Sequence, residues 1–343
     1  MSSETSRHEI EQLGKFGLIR MLSEKFGFSN TSSIYGIGED ASVVKPSESD
    51  VLLSSKLFLE NIHFDLAYFP LRHLGYKCVS VAISDIAAMN GFPYQIRMNI
   101  AVSNRFSIEA MEEFMEGVNL CCKRYNTDLI GLDVQSSPSG MVVAVDVFGE
   151  AGADRIITRS GAGDNDLLCV SGDFGAAYTG LLLLEREKKV FQANPDAQPE
   201  LSGYDYVLER ELKPEPRLDI LRQLEESDLL PTSMINVSDG LASALIQLCD
   251  ASGKGCQIYE SRIPIDPLTF RLLKDFNIVA TTVALNGGED YELLFTVRQD
   301  EHEKIQSMEN ISIIGYMQDI SGGRNLVTND DRVILLSAQG FGG

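Results

Sequence analysis

The stretch LGYKCVSVAISDIAAMNGFP (74–93) decides how this chain is built. Residues 75–91 are apolar or small at most positions, which predicts a helix buried on nearly all sides. One acid, Asp85, sits among Val81, Ile83, Ile86, Ala87 and Ala88. An unpaired carboxylate in such surroundings is costly to bury, so Asp85 needs a partner, structural or bound. Downstream, RMNIAVS (97–103) reads as a strand. Residues 107–125 read as an amphipathic helix with Ile108, Met111, Phe114, Met115, Val118 and Cys122 on one side. TDLIGLD (127–133) and MVVAVDVFGE (141–150) read as two more strands. Upstream, Ile10, Leu13, Phe16, Ile19, Leu22 and Phe26 predict a helix within 8–27. A loop, GIGED (36–40), and two short β-type runs, ASVVKP and VLLSSKLFL, follow it. The first half therefore mixes helices with neighbouring strands, without strict βαβ alternation.

Beyond a boundary placed in 150–163, the pattern restarts. DLLCVSG (166–172) is a strand, and a glycine-flanked turn leads into a helix over 176–191. A polar, proline-bearing loop covers 192–205. Helices are expected over about 205–226 and 240–252, strands near 257–263 and 291–297, and a β-rich tail. A chain of 343 residues is too long for one small core, and two domains are expected, 1–155 and 156–343. The class is α/β, with α+β mixing.

A net charge of −21 repels nucleic acid, which removes that partner class. No apolar run reaches the roughly 18–20 residues that span a bilayer, so no membrane partner is expected. The polar start MSSETSRHEIEQ has no signal-peptide pattern, and a cytoplasmic location is expected. The six cysteines form no CxxC pair and read as buried, reduced thiols. With four histidines, a zinc site is not expected.

Acids beside glycines recur: Glu39-Asp40 after GIG, Asp133 in IGLD, Asp239 in VSDGL, and Glu289-Asp290 in NGGEDYELLF. Glycine permits close backbone approach, and carboxylates at loop tips bind hard cations. Scattered single acids suit magnesium, which takes a few carboxylates and fills the rest of its shell with water and phosphate oxygens. The plainer alternatives are turns for the Gly–Asp pairs and an N-cap for Asp239. There is no Walker loop, and Asp173-Phe174-Gly175 lacks the rest of a protein-kinase motif set. The turn SGDFGAAYTG (171–180) opens a helix whose amino end suits phosphate or a simple cap. Arg159 and Arg217 are phosphate-clamp candidates or surface residues.

In order, QLGKFGLI (12–19), GIGEDASVV (36–44), FLENIHF (58–64), residues 74–93, GLD (131–133), GDNDLLCVSGDFGAAYTGL (163–181), LKPEPR (212–217), VSDGLASAL (237–245) and ALNGGEDYELLFTV (284–297) resemble the thiamine-monophosphate kinase family. That family lies within the aminoimidazole-ribonucleotide synthetase and selenophosphate synthetase superfamily. The resemblance implies a two-domain fold. An N-terminal domain binds ATP and Mg2+ and pairs with its copy in a homodimer through a barrel-like sheet; a C-terminal α/β domain follows. It implies ATP as co-substrate and direct phosphoryl transfer to thiamine monophosphate. By position, Asp40, Asp85, Asp133 and Asp239 match magnesium-associated acids, with Asp133 and Asp239 as the catalytic pair, and Ser54 and Ser55 stand near the metals. Glu39, Gly131, Arg159, Gly172, Gly175 and Ser238 match the nucleotide side, and His63, Glu289 and Asp290 the substrate side.

The chain departs from the pattern in these same motifs. Glu39 replaces an aspartate, Lys56 replaces the acid of a TTD motif, and Asn61 replaces a glycine. Leu132 and Val134 replace a glycine and a threonine, Asn236 an aspartate, and Lys15 a glutamate. Lys56 matters most, because an ammonium holds phosphate but cannot coordinate metal. A second reading is therefore a catalytically weakened relative that binds nucleotide or thiamine phosphate.

Overall fold

The computed structural model describes residues 13–37 and 42–338. The chain divides into two compact units, one of residues 1–86 with 91–153, the other of residues 87–90 with 154–343.

In the first unit, helix α1 (Gly14–Ser23) precedes a small ribbon of β1 (Ser33–Tyr35) and β2 (Val43–Val44). The expected helix within 8–27 is realised over the α1 span, and its positions before 13 lie outside the described residues. Strand β3 (Asp50–Leu59), helix α2 (Leu71–Ala87), β4 (Phe92–Val102), α3 (Ile108–Arg124), β5 (Asp128–Ser136) and β6 (Val142–Ala151) follow. They form a four-stranded sheet in the order β3-β6-β4-β5. The β4–β5 pair is parallel, which needs a crossover, and α3 provides it. The last strand, β6, inserts between β3 and β4, antiparallel to both.

One face of this sheet packs on the helices. Leu52 and Phe58 of β3 and Val143, Val145 and Val147 of β6 are buried there. Helices α2 and α3 are in backbone contact: a Cβ on Gly75 would lie 2.0 Å from Phe114 O, and one on Gly117 would lie 1.8 Å from Arg72 O. The opposite face is open along β3, with Val51, Leu53 and Leu57 exposed.

The second unit holds β7 (Leu167–Ser171), α4 (Ala176–Ala193), α5 (Asp205–Leu212), α6 (Leu218–Glu226), β8 (Ser233–Val237), α7 (Leu241–Ser252) and β9 (Gly255–Tyr259). Then come α8 (Pro267–Asp275), α9 (Ala280–Asn286), β10 (Glu292–Val297), α10 (His302–Gln306), β11 (Ile311–Gln318), β12 (Arg324–Val327) and β13 (Val333–Leu335). Seven strands order as β13-β12-β9-β11-β7-β10-β8, antiparallel except for β9–β12. The single helix expected over 205–226 is two, because Pro214 and Pro216 cannot continue a helix. The core of this unit gathers Leu168, Val170, Phe174, Ile235, Leu245 and Leu294 around α7 and the central strands.

All six cysteines are buried and free. Burial raises the Cys78 and Cys169 thiols far above their usual range, so they are inert packing residues. Among the described residues, no helix is long and apolar enough to cross a membrane.

Candidate active site

In the second unit, three loops meet at one end of the sheet. Strands β7 and β8 both run antiparallel to β10, which lies between them. The carboxyl ends of β7 and β8 and the amino end of β10 therefore coincide. The loops there are 172–175, 238–240 and 287–291.

The 238–240 turn carries Ser238 and the exposed Asp239, and the Ser238 hydroxyl donates to Asp239 Oδ2 at 2.8 Å. The neighbouring loop is pinned to it: Glu289 N–H donates to Ser238 O at 2.7 Å, and Tyr291 N–H to Val237 O at 3.0 Å. Glu289 and Tyr291 both adopt left-handed backbone, with φ of 63° and 52°. Side chains rarely accept that conformation, and such strain persists only where the surroundings hold it.

What holds it is a buried ionic network. Glu292, wholly buried, takes Arg210 Nη1 on one oxygen at 2.6 Å and Arg217 Nη1 on the other at 2.8 Å. Arg210 Nη2 also donates to Asp173 O at 2.9 Å. Burial works against the Arg210 charge, but Glu292, Asp290 and Asp173 together hold its pKa above the ordinary arginine value. Burial likewise raises Asp173, against the pull of Arg210 and of the Tyr206 hydroxyl that donates to it.

This network corrects several expectations. Asp290 does not face a ligand: it is 1% exposed and accepts the Gly175 N–H on both oxygens at 3.1 and 3.0 Å. It thus caps α4 from a distant part of the chain, and the amino end of α4 already faces a carboxylate. Gly172 is required by packing, since a Cβ there would lie 2.3 Å from Glu292 Oε1. Arg217 is no phosphate clamp; it grips Glu292 and, with two nitrogens, Asp219. Arg159 lies outside this network, exposed, with its Nη1 donating to Gln247 Oε1 at 2.8 Å, so the network does not bear on its expected nucleotide-side role.

Sequence reasoning missed Glu292 and Arg210. Glu292 had a signal of the Asp85 kind: it is an acid opening the apolar run LLFTV.

In the first unit, the candidates separate. Asp85 Oδ2 accepts the Ser54 hydroxyl at 2.7 Å and lies 2.9 Å from Lys56 Nζ. Ser55 is not part of this cluster. Strand alternation turns it, with Leu53 and Leu57, to the open face. Asp133 also lies on that open face. It is in register with the exposed Asn99, as Gly131 is with Arg97, and Gln135 Nε2 donates to it at 2.9 Å. Asp85 and Asp133 therefore occupy opposite faces, beside the opposite edge strands β3 and β5. His63 is exposed in the turn after β3, and its Nδ1 accepts Leu59 N–H at 3.1 Å. Glu39 and Asp40 lie outside the described residues.

These side chains differ in how well they suit magnesium. Among the described residues, no three His, Cys, Asp or Glu side chains converge on one point. Asp239 fits an ion shared with phosphates, being exposed and accepting the Ser238 hydroxyl on one oxygen. Asp85 does not fit, because a lysine ammonium already occupies its carboxylate.

The two units define an AIR-synthase-related α/β protein. Residues 38–151 match the family model described as AIR synthase related protein, N-terminal domain. The hydrogenase maturation protein HypE, at 14% identity and a TM-score of 0.73 over 93% of each chain, shares the fold. A thiamine-monophosphate kinase from Bacillus subtilis (strain 168) is 32% identical, over 96% of this chain and 99% of its own. The crystal structure of a thiamine-monophosphate kinase from Stenotrophomonas maltophilia K279a superposes with a TM-score of 0.75 at 25% identity, over 91% of this chain and 94% of that one. AaThiL, complexed with AMPPCP and TMP, does so at 0.71 and 25%, over 97% of both chains. The chain belongs to the thiamine-monophosphate kinase family.

Proposed function

We propose that this chain transfers the γ-phosphoryl group of ATP directly to the phosphate of thiamine monophosphate. The bond from the γ-phosphorus to ADP breaks, a substrate phosphate oxygen takes its place, and thiamine diphosphate leaves. The observation that carries this reading is the meeting of three loops at one end of the seven-stranded sheet. They present Ser238, Asp239 and Glu289 on backbone joined by the Glu289 N–H to Ser238 O and Tyr291 N–H to Val237 O hydrogen bonds, beside the buried Asp290 and Glu292.

Two phosphate anions must approach on a chain of net charge −21, so positioning and charge neutralisation carry the chemistry. Magnesium, when bound with the nucleotide, would supply that neutralisation. Asp239 in the second unit and Asp133 in the first are each proposed as magnesium-associated, catalytic carboxylates, and Glu39, Asp40, Gly131, Arg159 and Ser238 as nucleotide-side residues of their own units. His63 and Glu289 orient the substrate. Residues 1–155 carry nucleotide, metal and dimerisation. The apolar stripe of Val51, Leu53 and Leu57 supports a homodimer closed through this sheet face. A cytoplasmic location is part of this proposal.

The test mixes purified chain, ATP, Mg2+ and thiamine monophosphate and follows thiamine diphosphate by chromatography. Turnover that needs all three additions is expected. Absence of product while ATP and thiamine monophosphate still bind would overturn the kinase reading.

A further inference from the structure

Lys56 and Asp85 bear on how many divalent ions this chain takes up. On β3, only alternate residues reach the helix side of the sheet, so position 56 faces α2 while 55 and 57 face away. Lys56 Nζ lies 2.9 Å from Asp85 Oδ2, and the Ser54 hydroxyl donates to the same oxygen at 2.7 Å. Both charged side chains are 27% exposed, so the pair is half-sheltered yet open to a ligand. A magnesium ion binds its oxygen ligands at roughly 2.1 Å. An ion on Asp85 Oδ2 would therefore bring two positive charges into near contact at a site of reduced solvent screening.

The geometry points to Lys56 as a resident cation. Its ammonium stands on Asp85 in place of a divalent ion, offers a fixed positive charge to a phosphate oxygen, and leaves the chain with one metal site fewer than an acid at position 56 would create. Ser54 is a positioning residue that holds the shared carboxylate oxygen. This rests on the divalent-metal reading proposed above.

The experiment counts Mn2+ bound per chain in the presence of AMPPCP, from the paramagnetic resonance signal of the free ion. Lys56→Asp is expected to bind one more ion than the unaltered chain, and Lys56→Asp combined with Asp85→Asn to lose it. Lys56→Met, which removes the ammonium and adds no ligand, is expected to tighten Mn2+ binding about tenfold by removing the positive charge beside Asp85. Equal counts in the unaltered chain and Lys56→Asp would overturn the inference, as would an extra ion that survives Asp85→Asn. If Lys56→Asp does not fold, an unchanged affinity in Lys56→Met overturns it instead. An unaltered chain that binds no Mn2+ counts against the metal reading alone. The difference between chain and variant still decides the role of Lys56.

Discussion

Asp290 is a carboxylate without solvent, and its environment works in two directions. Burial pushes its pKa up from 3.8 to about 7, while Arg210 and the Gly175 N–H pull it down. The net shift is upward, so the folded chain holds the proton more tightly than the unfolded chain does. The stability this contributes is complete below about pH 3.8 and is lost as pH rises through about 7. Asp290→Asn keeps an acceptor for Gly175 but cannot titrate. Relative to the unaltered chain, its stability should climb between pH 4 and pH 7, read as the difference in urea midpoints. A difference that stays flat over that range would show that Asp290 is ionised throughout. The sequence exposes Glu289 and Asp290 as neighbours in one motif. It does not reveal that one is half-buried and pinned to the Ser238 turn while its neighbour turns inward, because that depends on the left-handed backbone at 289.

Helices α2 and α3 illustrate the limits of periodicity. Their spans were readable from apolar spacing to within a few residues, and so was the buried character of α2. The contact between them was not, since Gly75 and Gly117 look like weak points in a helix until another backbone lies against them. Gly117→Val should cost about 3 kcal/mol or more, because the clash is with the Arg72 carbonyl rather than a movable side chain. Chemical denaturation checks this, and a loss below 1 kcal/mol, on the order of ordinary propensity, would mean the helices can separate. Strand β3 carries the same lesson for the site. Ser54 and Ser55 are adjacent in a motif, yet the period of two sends only Ser54 to Asp85.

Over the whole molecule, the proposed homodimer is tested at the open face of the four-stranded sheet. Leu53 is 66% and Leu57 54% exposed on an edge strand, an arrangement that a second copy would cover. Light scattering after size exclusion should report twice the chain mass for the unaltered protein and a single chain mass for Leu53→Asp/Leu57→Asp. A monomeric unaltered protein at micromolar concentration would remove the dimer from the proposal. Apolar spacing and turn residues were enough to read the mixed α/β class and most elements, because each is a local property of neighbouring residues, while the kinase family came from the resemblance of the ordered motifs. Folding in three dimensions set the insertion of β6 between β3 and β4, the meeting of the loops after β7 and β8, and the grip of Arg210 and Arg217 on Glu292. It also set Lys56 against Asp85. These join residues distant along the chain, and spacing in one dimension carries no record of which strand lies beside which or which buried charge meets its counter-charge.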